Sequence, residues 1–232
     1  MTLSVDLSTS TLLGEYSYEL CPVVRGYANR TLYINLNDNR IYEKPVTAQM
    51  KELFTGGRGF ALKLLWDAVS PETKWDDPQN ELVIANGPIC GITAYPGSGK
   101  ATIVTLSPLT ENVIDSNVGG YFAPFLKFSG FDALEIQGKA AEDVVIFIDG
   151  VSGKVTIESF PLDGVDSHQI GNLLTEHYGS DEQGRLDKAA HHGGHFGGPG
   201  DGVDLAAVAQ ASAGDEFQAQ AVDHFIGGQL EG

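Results

Sequence analysis

Alternating apolar and polar positions between residues 25 and 178 predict a series of short strands. Residues 31–36 alternate, 37–39 form a turn rich in Asn and Asp, and 40–44 resume the alternation, which is typical of a β-hairpin. Pro45 ends this hairpin. Further β-rich runs predict strands at 81–85, 101–106, 133–137, 144–148 and 154–159.

Two helices are predicted between the hairpin and the next strand. Thr47 is a suitable N-cap for a short helix that continues to Phe54. The glycines from Gly56 end it, and a second helix follows at 59–69. Large apolar residues recur at three- and four-residue spacing along this second helix, so one of its faces is expected to pack on a sheet. The residues of that face are Leu62, Leu65, Trp66 and Val69.

Two later helices are predicted at 119–129 and 167–178. The first would begin in the double glycine Gly119-Gly120, with Pro124 in its first turn, where proline is tolerated. Strands and helices do not alternate strictly along the chain, and several strands form hairpins. This mixture predicts an α+β fold and not a doubly wound parallel sheet.

Both ends of the chain lack such patterns. Residues 1–24 are polar and rich in Ser and Thr, which predicts an N-terminal extension before a folded domain at 25–184. The segment 185–232 is rich in Gly, Ala and Asp and has no Lys or Arg after Lys188, so it is expected to pack less well. The sequence therefore predicts one domain followed by a tail.

Composition and charge exclude several classes of partner. The chain has 232 residues, with 31 Asp and Glu against 14 Lys and Arg, so it lacks the basic surface that nucleic acid or an anionic membrane requires. No apolar run reaches the length of a membrane span, and the N-terminus lacks the basic residues of a signal peptide. A cytoplasmic protein is expected.

No catalytic residue and no metal site are predicted. Cys21 and Cys90 are far apart and too few for a four-iron cluster, and Cys90 has the apolar neighbours of a small buried residue. Glycines interrupt any helix that would align His191, His192 and His195. Neither a Ser/His/Asp order nor a close carboxylate pair provides hydrolytic chemistry.

Glycines cluster at the junctions of the predicted elements. Four groups stand out: Gly56-Gly57-Arg58-Gly59, Asn86-Gly87-Pro88, Pro96-Gly97-Ser98-Gly99-Lys100, and the run from 115 to 122. Glycine is unfavourable inside regular structure and suits positions where the backbone turns at positive φ or approaches a large ligand. The groups therefore predict a binding site for a bulky, polar, phosphorylated cofactor.

Seven short motifs occur in order across the patterned region. They are Gly-Tyr-Ala-Asn-Arg-Thr-Leu at 26–32, Gly-Gly-Arg-Gly at 56–59, Asn-Gly-Pro at 86–88, Pro-Gly-Ser-Gly-Lys at 96–100, Leu-Ser-Pro-Leu-Thr at 106–110, Asp-Ser-Asn-Val-Gly-Gly-Tyr-Phe at 115–122 and Leu-Lys-Phe-Ser-Gly-Phe-Asp-Ala-Leu at 126–134. In this order the sequence resembles the N-terminal domain of the tungsten-containing aldehyde:ferredoxin oxidoreductases. One motif would carry little weight, whereas seven in family order make the resemblance specific.

The resemblance implies a tungstopterin-binding α+β domain of two similar halves, with mixed and hairpin-rich sheets. The family oxidises aldehydes to carboxylic acids at tungsten held by two pyranopterins, and passes electrons to an iron–sulfur acceptor. Its iron–sulfur cysteines and proton-transfer residues lie in downstream domains. A 4Fe-4S cluster would therefore come from a missing domain or a partner chain, and a ferredoxin-like protein would accept the electrons.

The last glycine group contributes three candidate cofactor-binding residues. Asn117 offers amide donors and an acceptor, and Gly119 and Gly120 leave backbone N–H groups open to an anion at a helix N-terminus. In the family the matching Asn and first Gly bind the cofactor. The residues alone leave another role open, because Asn117 could simply cap the helix.

Lys100, Gly57 and Arg58 complete the candidate set. Lys100 could reach a phosphate or pterin oxygen as a point charge, or be an ordinary surface lysine. The family usually has Arg here, and Lys lacks the planar fork that makes several hydrogen bonds at once. Gly57 could approach the cofactor or serve a turn between helices, and Arg58 could reach phosphate or pair with a carboxylate.

Two alternatives to an aldehyde-oxidising domain or subunit stay open. The chain could be a non-catalytic or degenerate fragment of this fold, or a subunit of a tungsten-dependent acyl-CoA reductase. The family continues after the last helix with a Gly-Pro-Ala-Gly-Glu-like strand and an Arg-rich loop for the pterin phosphate. Residues 193–202 occupy that place without an arginine.

Overall fold

Two mixed β-sheets and three short helices make up the described structure, a computed structural model. It describes residues 10–92, 94–160, 169, 173–174 and 177–178, and the backbone of two strands further on. The strands are β1 (Thr11–Ser17), β2 (Arg30–Asn35), β3 (Arg40–Pro45), β4 (Glu81–Asn86), β5 (Ala101–Leu106), β6 (Val113–Val118), β7 (Ala133–Gln137), β8 (Val144–Asp149), β9 (Lys154–Ser159), β10 (Gly194–Gly197) and β11 (Asp204–Gln210). The helices are α1 (Ala48–Leu53), α2 (Arg58–Ala68) and α3 (Phe122–Phe128).

The two sheets are built on the same plan. The order of the six-stranded sheet is β3-β2-β7-β4-β5-β6, and that of the five-stranded sheet is β1-β9-β8-β11-β10. In the first, the β2–β3 hairpin is antiparallel and β2 pairs in parallel with β7. In the second, the β8–β9 hairpin is antiparallel and β8 pairs in parallel with β11. The predicted α+β fold with mixed, hairpin-rich sheets is confirmed.

Apolar side chains fill two cores, one on each face of the six-stranded sheet. The larger joins α3 to both sheets, with Ile84 and Leu134 facing Leu126 and Ile146. The smaller lies beneath α1 and α2 and includes Val83. Because neighbours along a strand point to opposite faces, Val83 and Ile84 serve different cores. No helix in the described part of the chain is long and apolar enough to cross a membrane.

The predicted α1 and its cap agree with the structure, whereas the predicted buried face of α2 is right for Leu65 and Val69 and wrong for Leu62 and Trp66. The Thr47 hydroxyl accepts a hydrogen bond of 3.1 Å from the N–H of Met50. On α2 the buried residues are Phe60, Ala61, Leu64 and Leu65, whereas Leu62 and Trp66 are exposed, Trp66 to 79%. Equal spacing fits several faces, and the sheet beneath α2 selects the one that carries Phe60.

The predicted start of the third helix is also wrong. Residues 113–118 form strand β6, and α3 begins at Phe122, with Tyr121 as its N-cap. Asn117 therefore lies in a strand and does not cap a helix. Pro124 is in the first turn of α3, as predicted.

Both ends of the chain contribute strands that the sequence pattern did not predict. Residues 11–17 of the predicted N-terminal extension form β1, which pairs with β9 at the edge of the five-stranded sheet. In the predicted tail, β11 pairs with β8. Of the helix predicted at 167–178, residues 169, 173–174 and 177–178 are helical, and the rest lies outside the described residues.

Candidate functional site

Three strand ends meet at one edge of the six-stranded sheet. Strand β5 is antiparallel to both β4 and β6, so its first residue, Ala101, pairs with Asn86 at the end of β4 and with Val118 at the end of β6. Lys100 and Gly119 directly precede and follow these paired positions. The first turn of α2 joins the same edge, because the N–H of Gly57 donates to the carbonyl of Asn86 over 2.9 Å.

These contacts bring together all six residues that the sequence predicts to bind the cofactor. We call the group of Gly57, Arg58, Lys100, Asn117, Gly119 and Gly120 the sheet-end site. The loop before β5 and the loop after β6 touch directly, since a Cβ on Gly99 would lie 2.5 Å from the carbonyl oxygen of Gly120. Likewise, a Cβ on Gly119 would lie 3.2 Å from the Nζ of Lys100, so the exposed lysine side chain lies across that glycine.

Asn117 projects from the edge strand opposite Thr102. The two residues are direct partners in the β5–β6 register, and the Thr102 hydroxyl donates to Oδ1 of Asn117 over 3.4 Å. The Asn117 amide nitrogen is then available as a donor for a ligand. Gly57, in the left-handed region at φ +51°, flanks the same hydroxyl, because its Cβ would lie 3.9 Å from Oγ1 of Thr102.

Arg58 forms an ion pair within the site. Its Nη2 lies 2.5 Å from Oδ2 of Asp115, and the two side chains are 57% and 34% exposed. Asp115 and Asn117 are two residues apart on β6 and share a face, so the ion pair joins the start of α2 to the strand that carries Asn117. Of the two roles predicted for Arg58, pairing with a carboxylate is present in the structure.

A buried ion pair behind the site was not recognised from the sequence. Lys127 and Asp132 are 1% and 0% exposed, and their side chains form a salt bridge. The carboxylate of Asp132 also accepts hydrogen bonds from the backbone N–H of Ala28, at 3.0 Å, and of Asn29, at 2.7 Å. The Lys127 ammonium donates to the carbonyl of Gly26 over 2.8 Å. The pair thus holds the 26–29 loop against α3.

That loop in turn borders the sheet end. A Cβ on Gly26 would collide with the carbonyl of Pro88, so the two segments are in close contact. The carbonyl of Asp132 accepts from the N–H of Asn86 over 3.0 Å. The sequence does contain a signal for the buried ion pair, because Lys127 and Asp132 are two oppositely charged residues in a largely apolar motif at 126–134.

The cysteine and histidine residues considered in the sequence give no further site within the described residues. Cys90 is 5% exposed, and burial raises the pKa of its thiol to about 12, which agrees with a small buried residue and not a nucleophile. Within the described residues, no group of three or more His, Cys, Asp and Glu could hold a metal ion. The side chains of His191, His192 and His195 are outside the described set.

Most of the chain is similar to one known protein family. Residues 31–193 match the model of the aldehyde ferredoxin oxidoreductase N-terminal domain. A tungsten-containing aldehyde ferredoxin oxidoreductase of Pyrococcus horikoshii is 37% identical over 123 residues, which cover 53% of this chain and 20% of the relative. An aliphatic sulfonate oxidoreductase, WOR-like subunit, of Pyrococcus furiosus is 32% identical over 125 residues, with the same coverage. The chain thus spans 20% of the length of these relatives.

A solved structure has the same fold. It is the active site complex of benzoyl coenzyme A reductase, in complex with 1,5 dienoyl-CoA. The TM-score is 0.67 at 24% sequence identity, covering 81% of this chain and 31% of the other chain. At this identity the likeness establishes the fold alone.

Proposed function

We propose that this chain, which belongs to the aldehyde ferredoxin oxidoreductase N-terminal domain family, is the tungstopterin-binding domain or subunit of an oxidoreductase that oxidises aldehydes to carboxylic acids. The observation that carries the proposal is the convergence of Lys100, Asn117 and Gly119 at one sheet end. The motifs that supply these residues are separate in the sequence, at 96–100 and 115–122, and they lie side by side in the fold.

The residues of the sheet-end site fit a pyranopterin. The backbone is open where the loops meet, because a Cβ on Gly97 or Gly120 would have no heavy atom within 4 Å. The ammonium of Lys100 offsets the negative charge of a phosphate, and the amide of Asn117 can bond the oxygen and nitrogen atoms of a pterin ring. The Lys100 ammonium, the Asn117 amide and an open glycine backbone suit a large, polar, anionic ligand.

Each residue would have a distinct role in holding the group. When bound, the tungsten–pyranopterin would supply the two-electron chemistry of aldehyde oxidation. Lys100 would bind an anionic oxygen, Asn117 would orient the ring edge, and Gly119 would let the backbone approach closely. Arg58 would keep Asn117 in place through Asp115. The chain would therefore bind and orient the cofactor.

The proposal includes partners. With two cysteines in the sequence, a four-iron cluster would have to be bound by other protein, either a further domain or a partner chain. Electrons would then pass to a ferredoxin-like acceptor, in the cytoplasm. The names of the relatives, as ferredoxin oxidoreductases, support this part of the proposal.

Metal and pterin analysis of the chain from its native cells tests the proposal. We expect tungsten and pterin near stoichiometry with the chain and with any protein that copurifies. If both are absent, the chain is the non-catalytic fragment of this fold and the proposal fails. The acyl-CoA reductase alternative rests on a likeness of fold, so no observation favours it over aldehyde oxidation.

A further inference from the structure

We propose that Gly87 is a cofactor contact, at which the ligand comes too close to the backbone for any side chain to fit. The inference rests on the proposed function and adds a residue to the sheet-end site.

The protein itself does not require glycine at position 87. Its φ is not positive, and a Cβ built on it would have no heavy atom of the described residues within 4 Å. By contrast, a Cβ on Gly59 would lie 2.7 Å from the Cβ of Phe54, and one on Gly99 would lie 2.5 Å from the carbonyl of Gly120. Those two glycines have an internal steric reason, whereas Gly87 has neither a steric nor a conformational one.

Gly87 lies where the ligand is proposed to bind. It directly follows Asn86, whose partner in the sheet is Ala101, the residue after Lys100. A Cβ on Gly56 would lie 3.1 Å from the Cα of Gly87, so the residue is also next to the first turn of α2. Its carbonyl accepts from the N–H of Cys90 over 3.0 Å, and this bond fixes the backbone in place.

The open side of Gly87 is therefore fixed in place, and it lies at the same end of the sheet as Lys100 and Gly119. An alanine methyl there would meet none of the described residues but would occupy space that a bound pyranopterin needs. Since a rigid site tolerates even one extra methyl group poorly, the substitution should weaken binding without disturbing the fold.

The test compares three proteins, each purified with the chains that accompany it in native cells: wild type, Gly87→Ala and Gly14→Ala, whose Cβ would lie 2.7 Å from the carbonyl oxygen of Asn39, away from the sheet-end site. Pterin and tungsten per folded chain are measured after gel filtration, together with the melting temperature. For Gly87→Ala we expect about tenfold lower pterin retention and an equal or slightly higher melting temperature, because alanine restricts the unfolded chain. For Gly14→Ala we expect a lower melting temperature, caused by the clash with the Asn39 carbonyl, and unchanged pterin per folded chain.

Each of the other outcomes contradicts either the role of Gly87 or the proposed function. If Gly87→Ala retains as much pterin as wild type, the role of Gly87 is refuted while the proposed function stands. If Gly87→Ala keeps its pterin but loses copurifying chains, the open side faces another protein and the inference is again refuted. If wild type contains neither pterin nor tungsten, the proposed function fails and this inference fails with it.

Discussion

At the scale of single residues, the position of the Lys100 ammonium depends on the absence of a side chain at Gly119. We predict that Gly119→Val prevents pterin retention, because the valine would displace Lys100 and fill the approach to the backbone. Lys100→Ala should weaken retention less, and its effect should be largest at low salt, because ions already screen an exposed charge contact at high salt. The measurement is pterin retained after gel filtration at low and high salt.

Thr110→Val provides the matched control for Gly119→Val, because it introduces the same side chain at an exposed position on the hairpin that leads into β6. Its pterin content should equal that of wild type. Equal retention by Gly119→Val would show that the double glycine serves only the turn.

A second residue-scale feature is a pair of buried carboxyl groups on the α2 side of the six-stranded sheet. Glu81 and Glu135 are 1% and 0% exposed. Glu135 accepts from the Thr31 hydroxyl and the Lys44 ammonium, whereas Oε1 of Glu81 has no partner within the described residues. Burial, and then the charge of Glu135, raise the pKa of Glu81 to about 9.

This raised pKa predicts that stability falls as the pH rises. The unfolded chain releases the Glu81 proton near pH 4.5 and the folded chain near pH 9, so between these values the unfolded state binds fewer protons. The side chain introduced by Glu81→Gln cannot ionise, so the stability of this variant should depend less on pH. Its free energy of unfolding should exceed that of wild type by about 1–3 kcal/mol at the alkaline end. Urea unfolding at both ends of the range measures it, with the exposed Glu72→Gln as control. An unchanged slope in Glu81→Gln would exclude Glu81 as the source.

At the scale of elements, the buried Lys127–Asp132 pair joins α3, the start of β7 and the 26–29 loop. We predict that Lys127→Met lowers the free energy of unfolding by about 3–5 kcal/mol, because it leaves the Asp132 carboxylate buried without its counter-charge. The measurement is chemical unfolding at neutral pH. Lys63→Met is the control, since Lys63 pairs with Asp67 on the exposed side of α2 and should cost less than about 0.5 kcal/mol. Similar losses in both variants would show that the buried pair is not a special support of the loop.

At the scale of the whole molecule, the chain corresponds to a part of its relatives. It spans 20% of the length of the relatives and contains two cysteines. We predict that the pure chain, even when loaded with cofactor, shows no aldehyde-dependent reduction of a viologen dye. Activity should appear when the proteins that copurify with it are added back. Robust turnover by the pure chain would contradict the proposed division of roles.

The hairpins, the central strands and the candidate cofactor-binding residues can be recognised from local sequence alone. Strands such as β8 and β9 carry enough β-branched and apolar residues to be recognised locally, and the Thr47 cap is a local interaction between neighbours in the chain. The glycine groups were informative for the same reason, because glycine is selected by local backbone geometry or close approach.

The tertiary structure alone decided the features that depend on distant partners. β6 carries Asp115, Ser116 and Asn117, which are poor strand formers, and it forms because β5 offers it a complete set of hydrogen bonds. The buried face of α2 was decided by the sheet beneath it, since its sequence is apolar on more than one side. The meeting of Lys100 with Gly119 needed the antiparallel order of β5 and β6, because a sequence pattern specifies the period of an element but not its neighbours.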